Sequence, residues 1–130
     1  MTLFSKIIAG EIPSYKVAED ENFYAFLDIN PLTKGHTLVV PKKTEEDYIF
    51  NLDDEVLGGL MIFSKKVAKA IEKSVPCVRI GVVVIGLEVP HTHIHLIPIE
   101  TESDMNFAHP KLKLSVEEMT AIATKIRENF

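Results

Sequence analysis

The chain has 130 residues, of which 46% are hydrophobic and 25% are charged, a composition typical of one globular domain and not of a disordered or membrane-spanning protein. Its net charge of −5 argues against binding to nucleic acid, because that function needs lysine and arginine clustered on one surface. The only cysteine, Cys77, excludes an intrachain disulfide and a cysteine-based metal site. Residues 1–8 lack the features of a secretory signal, so we expect a cytoplasmic protein with no partner in a membrane.

The first third of the chain predicts a short helix followed by three strands. Residues 4–9 are expected to be helical, and Gly10 is expected to end that helix. Two β-prone stretches, residues 15–18 and 23–27, flank a polar group of hairpin type. Residues 36–40 alternate and then become apolar, which predicts the third strand.

The longest element is predicted to be a helix from residue 53 or 54 to residue 73. Acidic residues open it and lysines close it, which suits the helix dipole at both ends. Its apolar stripe at three-to-four spacing comprises Leu57, Leu60, Met61, Val67 and Ile71. The two adjacent glycines, Gly58 and Gly59, weaken the helix locally, but they would let it pack closely on a sheet.

The remaining elements complete an α+β fold. Residues 79–85 form a nearly continuous β-branched run, typical of a strand buried on both faces. After a turn comes a histidine-rich strand at residues 90–98, and residues 101–114 then show no regular pattern. Residues 115–126 begin with a capping box and predict a final helix. We therefore expect about five mainly antiparallel strands, a short N-terminal helix, a long central helix and a C-terminal helix.

Three of the five histidines alternate along the chain at His91, His93 and His95. In a strand, alternate side chains share one face, so the three imidazoles would face one way and the intervening residues the core. The outer two would lie roughly 13 Å apart, too far for all three to bind one metal ion. The central His93 is the best placed nucleophile. Two other interpretations stay open: an amphipathic strand that happens to be histidine-rich, and a His-x-His metal site with one further ligand.

The alternating histidines resemble the motif of the histidine triad family. Residues 4–13, 25–31 and 35–42 also resemble, in order and spacing, the histidine triad nucleotide-binding proteins of that family. The resemblance covers most of residues 2–98, and residues 101–130 diverge from it. It implies a single histidine triad domain over the whole chain, with the α+β fold of that family.

The resemblance implies hydrolysis or nucleotidyl transfer at the α-phosphate of a purine nucleoside 5′-phosphoramidate or related nucleotide. His93 would form a covalent nucleotidyl intermediate, His95 would contact the phosphate, and His91 and His36 would orient the row. For His36, an ordinary structural histidine at a strand start is the alternative. No cofactor and no metal are expected. A dinucleoside polyphosphate hydrolase, a nucleotide-binding regulatory protein with little turnover, and a metal-binding module remain alternatives.

The resemblance also places a nucleoside pocket. Asp28 would bind the ribose hydroxyls, and Gly86 and Leu87 would belong to the same site. The apolar wall for the base would comprise Leu3, Phe4, Ile7, Phe26, Ile29 and Leu38. Without the resemblance, the apolar residues would be assigned to the core and Asp28 to a turn.

Two departures from the family pattern limit what the resemblance implies. Val83 stands where asparagine is common on the strand before the motif, so a polar contact to the substrate is missing. Glu88 stands where a serine or threonine is common, and we hypothesise that it is a general acid toward the departing amine or phosphate; the alternative is a surface residue in a turn. Thr2, Ser5 and Thr44 occupy positions that bear cysteine or histidine in the zinc-binding branch, so structural zinc is not expected. A homodimer is also implied, and residues 54–73 with 79–85 are its expected contact surface.

Overall fold

A computed structural model describes all 130 residues. They form one five-stranded antiparallel sheet with three helices, which confirms the expected α+β class. The strand order across the sheet is β1-β2-β3-β5-β4. In chain order the elements are α1 (Leu3–Ile8), β1 (Lys16–Glu19), β2 (Phe23–Leu27), β3 (Thr37–Pro41), α2 (Asp54–Ser74), β4 (Arg79–Val83), β5 (Ile94–Ile99) and α3 (Val116–Asn129).

The long helix α2 has nearly the bounds expected from its end signals. The Asp53 side chain accepts a hydrogen bond from the Val56 amide at its start. Of the two adjacent glycines in α2, only Gly59 is required by packing, because a Cβ atom there would lie 2.9 Å from the Phe23 ring on β2. Gly58 has open space around it.

None of the helices combines the length and apolar character needed to cross a membrane.

The two faces of the sheet carry separate apolar clusters. The larger one lies under α2 and α3 and takes alternate residues of β2, such as Ala25 and Leu27. The smaller one lies on the opposite face, where α1 covers Phe26 and Leu38. Because side chains alternate along a strand, β2 serves both clusters. The face beneath α1 also carries the candidate site.

The prediction that residues 79–85 form a strand buried on both faces is wrong. β4 spans Arg79–Val83 and is an edge strand, and 49% of the Val82 surface is exposed. A β-branched run favours extended backbone wherever it lies in the sheet, so it does not distinguish a central strand from an edge strand.

The histidine segment also differs from the expectation of one continuous strand. β5 begins at Ile94, so of the three histidines only His95 lies on a regular strand. The Thr92 amide donates to the Glu46 carbonyl, and the His91 carbonyl accepts from the ring of His93. Since these backbone groups are bonded elsewhere, the sheet ladder cannot continue through them.

Candidate active site

A cavity of about 490 Å³ lies between α1, the sheet, the turn before the histidines and the C-terminal loop. Most of the residues that the sequence assigned to the site line it. The polar members are Asp28, Glu88, His93 and His95. The other members are Leu3, Phe4, Ile7, Phe26, Ile29, Leu38, Gly86 and Leu87. His36 and His91 lie behind the wall and are almost fully buried.

The apolar wall has a packed part and an open part. Four members belong to the small cluster under α1. By contrast, Leu3, Ile29 and Leu87 remain 46%, 68% and 88% exposed around the cavity. Exposed apolar side chains grouped around a concave site are typical of a ligand-binding surface.

His93 presents an unprotonated nitrogen to the cavity. Its Nδ1 lies 2.8 Å from the His91 carbonyl oxygen, and a carbonyl only accepts, so Nδ1 carries the proton. In the neutral ring Nε2 is therefore bare. Burial lowers the pKa of His93, although the hydrogen bond to His91 and the charges of Asp28 and Glu88 oppose the shift. Phe4 supports the ring edge-on at 5.0 Å between centroids.

His95 has the opposite tautomer because a chain of hydrogen bonds assigns its proton. The Leu32 amide donates to His36 Nδ1 at 3.0 Å, so the proton of His36 lies on Nε2. That Nε2 donates to His95 Nδ1 at 2.9 Å. The neutral His95 ring then carries its proton on Nε2, the nitrogen left free for a ligand. Burial is the main reason that the pKa values of His36 and His95 fall from 6.5 to about 3 and about 4.

The same region contains three groups that could be considered as metal ligands. Ligand atoms of Asp28, His36 and His95 all lie within 4.8 Å of one another. A ligand nitrogen must offer a lone pair, but the Leu32 amide occupies Nδ1 of His36 and leaves the proton on Nε2. Nε2 is the nitrogen that faces the other two groups. The hydrogen bonds therefore favour a chain of imidazoles over a metal centre.

Asp28 makes a turn contact and also lies in the cavity wall. One carboxylate oxygen accepts from the Asn30 amide at 2.9 Å, as in a turn. The other oxygen lies 3.6 Å from His36 Nε2, and the side chain lines the cavity. Burial raises the pKa of this carboxyl, against the hydrogen bond from Asn30 and the positive charge of Lys111.

Glu88 lines the cavity beside these groups. The side chain is exposed, as the surface-residue alternative expects, and its negative charge contributes to raising the pKa of both Asp28 and His93. A carboxyl in this position can exchange a proton with a bound ligand.

His91 is fully buried and is held at both ring nitrogens. Nε2 donates to the Pro41 carbonyl at 3.0 Å, and Nδ1 lies 2.7 Å from the Thr2 hydroxyl. Thr2 and Ser5 lie next to each other, as expected from their correspondence to the two cysteines of the zinc-binding branch. Their third partner, however, is the carboxylate of Glu45 and not its neighbour Thr44.

Two further cavity residues, Phe107 and Lys111, lie in the C-terminal loop and were not expected from the sequence. The Phe107 ring lies 5.0 Å from that of His95. Lys111 is the only lysine or arginine in the cavity wall, and its ammonium donates to the carbonyls of Phe107 and His109. The loop is fastened where the Leu112 amide donates to the Pro31 carbonyl. No local pattern in residues 101–114 signals this placement.

The chain is similar to known proteins over nearly its whole length. An uncharacterized HIT-like protein of Borreliella burgdorferi is 39% identical over 136 residues, covering 98% of this chain and 97% of that protein. An adenosine 5′-monophosphoramidase of Schizosaccharomyces pombe is 35% identical over 126 residues, covering 95% and 94%. The crystal structure of a Hit-like protein from Bartonella henselae superposes with a TM-score of 0.82 at 32% identity, covering 99% of this chain and 96% of that one. The family model described as the HIT domain matches residues 9–102, and the chain therefore belongs to the HIT-domain family.

Proposed function

We propose that this protein is a nucleotide hydrolase that acts at the α-phosphate of a purine nucleoside 5′-phosphoramidate through a nucleotidyl-His93 intermediate. The observation that carries the proposal is the pairing of a bare Nε2 on His93 with a protonated Nε2 on His95 at one cavity. A nucleophile next to a hydrogen-bond donor is the arrangement that acyl and phosphoryl transfer require. Relatives that are adenosine 5′-monophosphoramidases support the same chemistry.

In the first step, the Nε2 lone pair of His93 forms a bond to the α-phosphorus. The bond from phosphorus to the amine nitrogen breaks, and its electron pair leaves with that nitrogen, which takes a proton that the Glu88 carboxyl passes on from solvent. The Nδ1–H of His93 keeps its bond to the His91 carbonyl, which stabilises the positive charge that the ring gains. The Nε2–H of His95 donates to a phosphate oxygen as negative charge builds up there.

In the second step, a water molecule attacks phosphorus and gives its proton to the Glu88 carboxylate. The bond between phosphorus and Nε2 breaks, and its electron pair returns to His93. The products are the nucleoside monophosphate and the free enzyme, and the Glu88 carboxyl returns the proton to solvent. Glu88 thus serves as acid and then as base, as microscopic reversibility allows for a single group.

The nucleoside would occupy the remaining part of the cavity. We propose that the base lies against the open apolar residues, including Ile29 and Leu87, and that Asp28 accepts hydrogen bonds from the ribose hydroxyls. Asp28 has one oxygen free of the turn hydrogen bond, which supports this role. His36 would act by holding the proton of His95 in place.

A dinucleoside polyphosphate is the second candidate substrate, and Lys111 is the observation that favours it. The cavity holds two carboxylates and this one fixed cation, so a further phosphate group would gain most from Lys111. Comparing kcat/KM for an adenosine phosphoramidate and for diadenosine tetraphosphate separates the two. A Lys111→Met variant should lose activity mainly on the polyphosphate if that is the better substrate.

We also propose that two copies associate through α2 and β4. The outer edge of β4 has no partner strand, and Val78 and Val82 are exposed beside it. An unpaired strand edge with apolar side chains is a template for pairing, and a twofold axis makes identical edges self-complementary. Light scattering should give the mass of a dimer, and Val82→Asp should give a monomer. A monomeric wild-type protein would contradict the association.

The central experiment is mass spectrometry of protein quenched during turnover of an adenosine phosphoramidate. A nucleotide adduct on the peptide that contains His93 is expected, and His93→Asn should lack it. His109→Asn is the matched control, because His109 does not line the cavity. Turnover without any adduct on His93 would contradict the covalent mechanism. Binding of the nucleotide without turnover would instead indicate a regulatory binding protein.

A further inference from the structure

A hydrogen-bonded network outside the cavity connects the N-terminal residues to the histidine segment. The Thr2 hydroxyl lies 2.7 Å from His91 Nδ1 and 3.0 Å from the Ser5 hydroxyl. The Glu45 carboxylate accepts from the Thr2 amide at 2.8 Å and from the Ser5 hydroxyl. None of these four residues lines the cavity.

The direction of the hydrogen bond from Thr2 follows from the acceptors around it. Since His91 Nε2 donates to the Pro41 carbonyl, the neutral ring has a bare Nδ1. The Thr2 hydroxyl must therefore donate its proton to that nitrogen. Its lone pairs accept from the Ser5 amide at 3.0 Å, which is the helix cap of α1. One hydroxyl thus caps the helix and holds the histidine ring.

The hydrogen bond between Thr2 and His91 influences His93 through the backbone of His91. Hydrogen bonds at both ring nitrogens restrict the position of His91. The backbone carbonyl of the same residue accepts a hydrogen bond from Nδ1 of His93 at 2.8 Å. The same helix cap also positions Phe4, whose ring contacts the rings of His91 and His93 at 5.8 and 5.0 Å. Thr2 therefore supports His93 through the His91 carbonyl and through Phe4.

Glu45 is the fixed end of this network. It is an exposed side chain in the loop after β3, and its two hydrogen bonds join that loop to α1. The Ser5 hydroxyl and the Thr2 amide together hold the pKa of this carboxyl below its usual value, so it stays ionised as an acceptor. Because α1 has only six residues, it depends on such contacts more than a longer helix would.

We propose that Thr2 is a positioning residue for His93 and that Glu45 anchors it. Thr2 does not touch the substrate; it fixes the His91 carbonyl, and that carbonyl keeps the proton of His93 on Nδ1. The inference rests on the proposed function for its kinetic consequence, but its effect on the tautomer of His93 does not.

The test compares Thr2→Val, which keeps the shape but loses the hydroxyl, with Thr2→Ser, which restores it. Thr2→Val should lower kcat about tenfold, the change expected from one lost hydrogen bond, and Thr2→Ser should recover most of it. Nitrogen-15 spectra of the histidine rings should show a mixture of tautomers at His93 in Thr2→Val but not in Thr2→Ser. Ser115→Ala removes the cap of α3, so it controls for general loss of stability.

Glu45→Ala provides a second variant at an exposed position, so it leaves no cavity in the core. It should shift the same nitrogen-15 signals in the same direction, and its loss of kcat should be smaller. A fall in melting temperature and a rise in KM, with kcat and the His93 tautomer unchanged, would show that Thr2 only caps α1 and would overturn the inference. If the wild-type protein turns over no nucleotide, the proposed function fails, and the ring spectra alone then decide the role of Thr2.

Discussion

His93 and His95 have ring centroids 5.0 Å apart, yet their hydrogen bonds place the ring protons on opposite nitrogens. The His91 carbonyl holds the proton of His93 on Nδ1, while the Nε2–H of His36 leaves the proton of His95 on Nε2. A lone pair and a donor therefore reach the same cavity from two identical side chains. The backbone groups of His91 and Leu32, and not the histidine type itself, make the two rings chemically different.

Replacing His93 should separate catalysis from binding. His93→Asn is expected to lower kcat by roughly 10⁴-fold or more, since removal of a nucleophile from a cooperating group has effects of this size. The dissociation constant for adenosine monophosphate, measured by calorimetry, should change only slightly because the apolar wall and Asp28 remain. An active His93→Asn variant would rule out this nucleophile.

The pH dependence of kcat/KM should show that His93 stays neutral under mildly acidic conditions. Only the unprotonated ring can attack phosphorus, and burial lowers the pKa of His93 below 6.5. Activity should therefore be full at pH 7 and should fall only as the pH drops below 6.5, through the lowered pKa. The profile is measured with correction for the ionisation of the substrate.

Other groups near His93 also titrate, and a variant separates their contribution. Burial raises the pKa of Asp28, whereas His36 and His95 have pKa values of about 3 and about 4. Any part of the acid limb that disappears in Asp28→Asn belongs to that carboxyl. If the acid limb of kcat/KM has its midpoint at or above pH 6.5 in both the wild type and Asp28→Asn, burial does not lower the pKa of His93.

Protein stability should also fall with pH because of His36. Its pKa is about 3 in the folded protein and near 6.5 when unfolded, so between these values only the unfolded chain binds the proton. The free energy of unfolding should decrease by about 1.4 kcal/mol per pH unit for this proton as the pH falls from 6.5 toward 3. Urea unfolding at several pH values measures the slope. In His36→Gln the free energy of unfolding should depend less on pH, by about 1.4 kcal/mol per pH unit, whatever the stability of the variant at pH 7.

Glu88 should matter most for poor leaving groups. Glu88→Gln cannot supply a proton, so turnover of an alkyl phosphoramidate should fall by roughly 10²-fold, the lower end of general acid catalysis. A nitrophenyl ester, whose leaving group needs no proton, should be cleaved at nearly the wild-type first-step rate. Glu128→Gln on the exposed surface of α3 is the control. Equal turnover of the alkyl substrate by Glu88→Gln and wild type would leave Glu88 as a turn residue.

Asp28 should discriminate ribose from deoxyribose. Asp28→Asn keeps a turn-forming side chain but loses the charged acceptor, so KM for a ribonucleotide should rise by about tenfold or more. KM for the matching 2′,3′-dideoxy substrate should hardly change, because it has no hydroxyls to donate. A similar increase for both substrates would indicate that Asp28 supports the fold and not the ribose.

Local signals predicted the helices and most strands well. The bounds of α2 lie within a residue or so of the expectation because its cap and end charges are neighbours in the chain. β2 spans Phe23–Leu27 as predicted. The two wrong predictions were the burial of β4 and the start of β5. Both depend on which other parts of the chain lie beside the strand.

Residue type and order were enough to identify the alternating histidines as the candidate reactive groups. Asp28 and the apolar wall were assigned to the site only through the resemblance to the histidine triad family. The folded structure was needed to assign the ring protons, to identify Glu45 as the partner of Thr2 and Ser5, and to place Phe107 and Lys111 in the cavity. The physical reason is that these features rest on contacts between distant residues, such as the hydrogen bond joining Thr2 and His91, which are 89 positions apart. A local pattern specifies which groups are available, and packing specifies which of them meet.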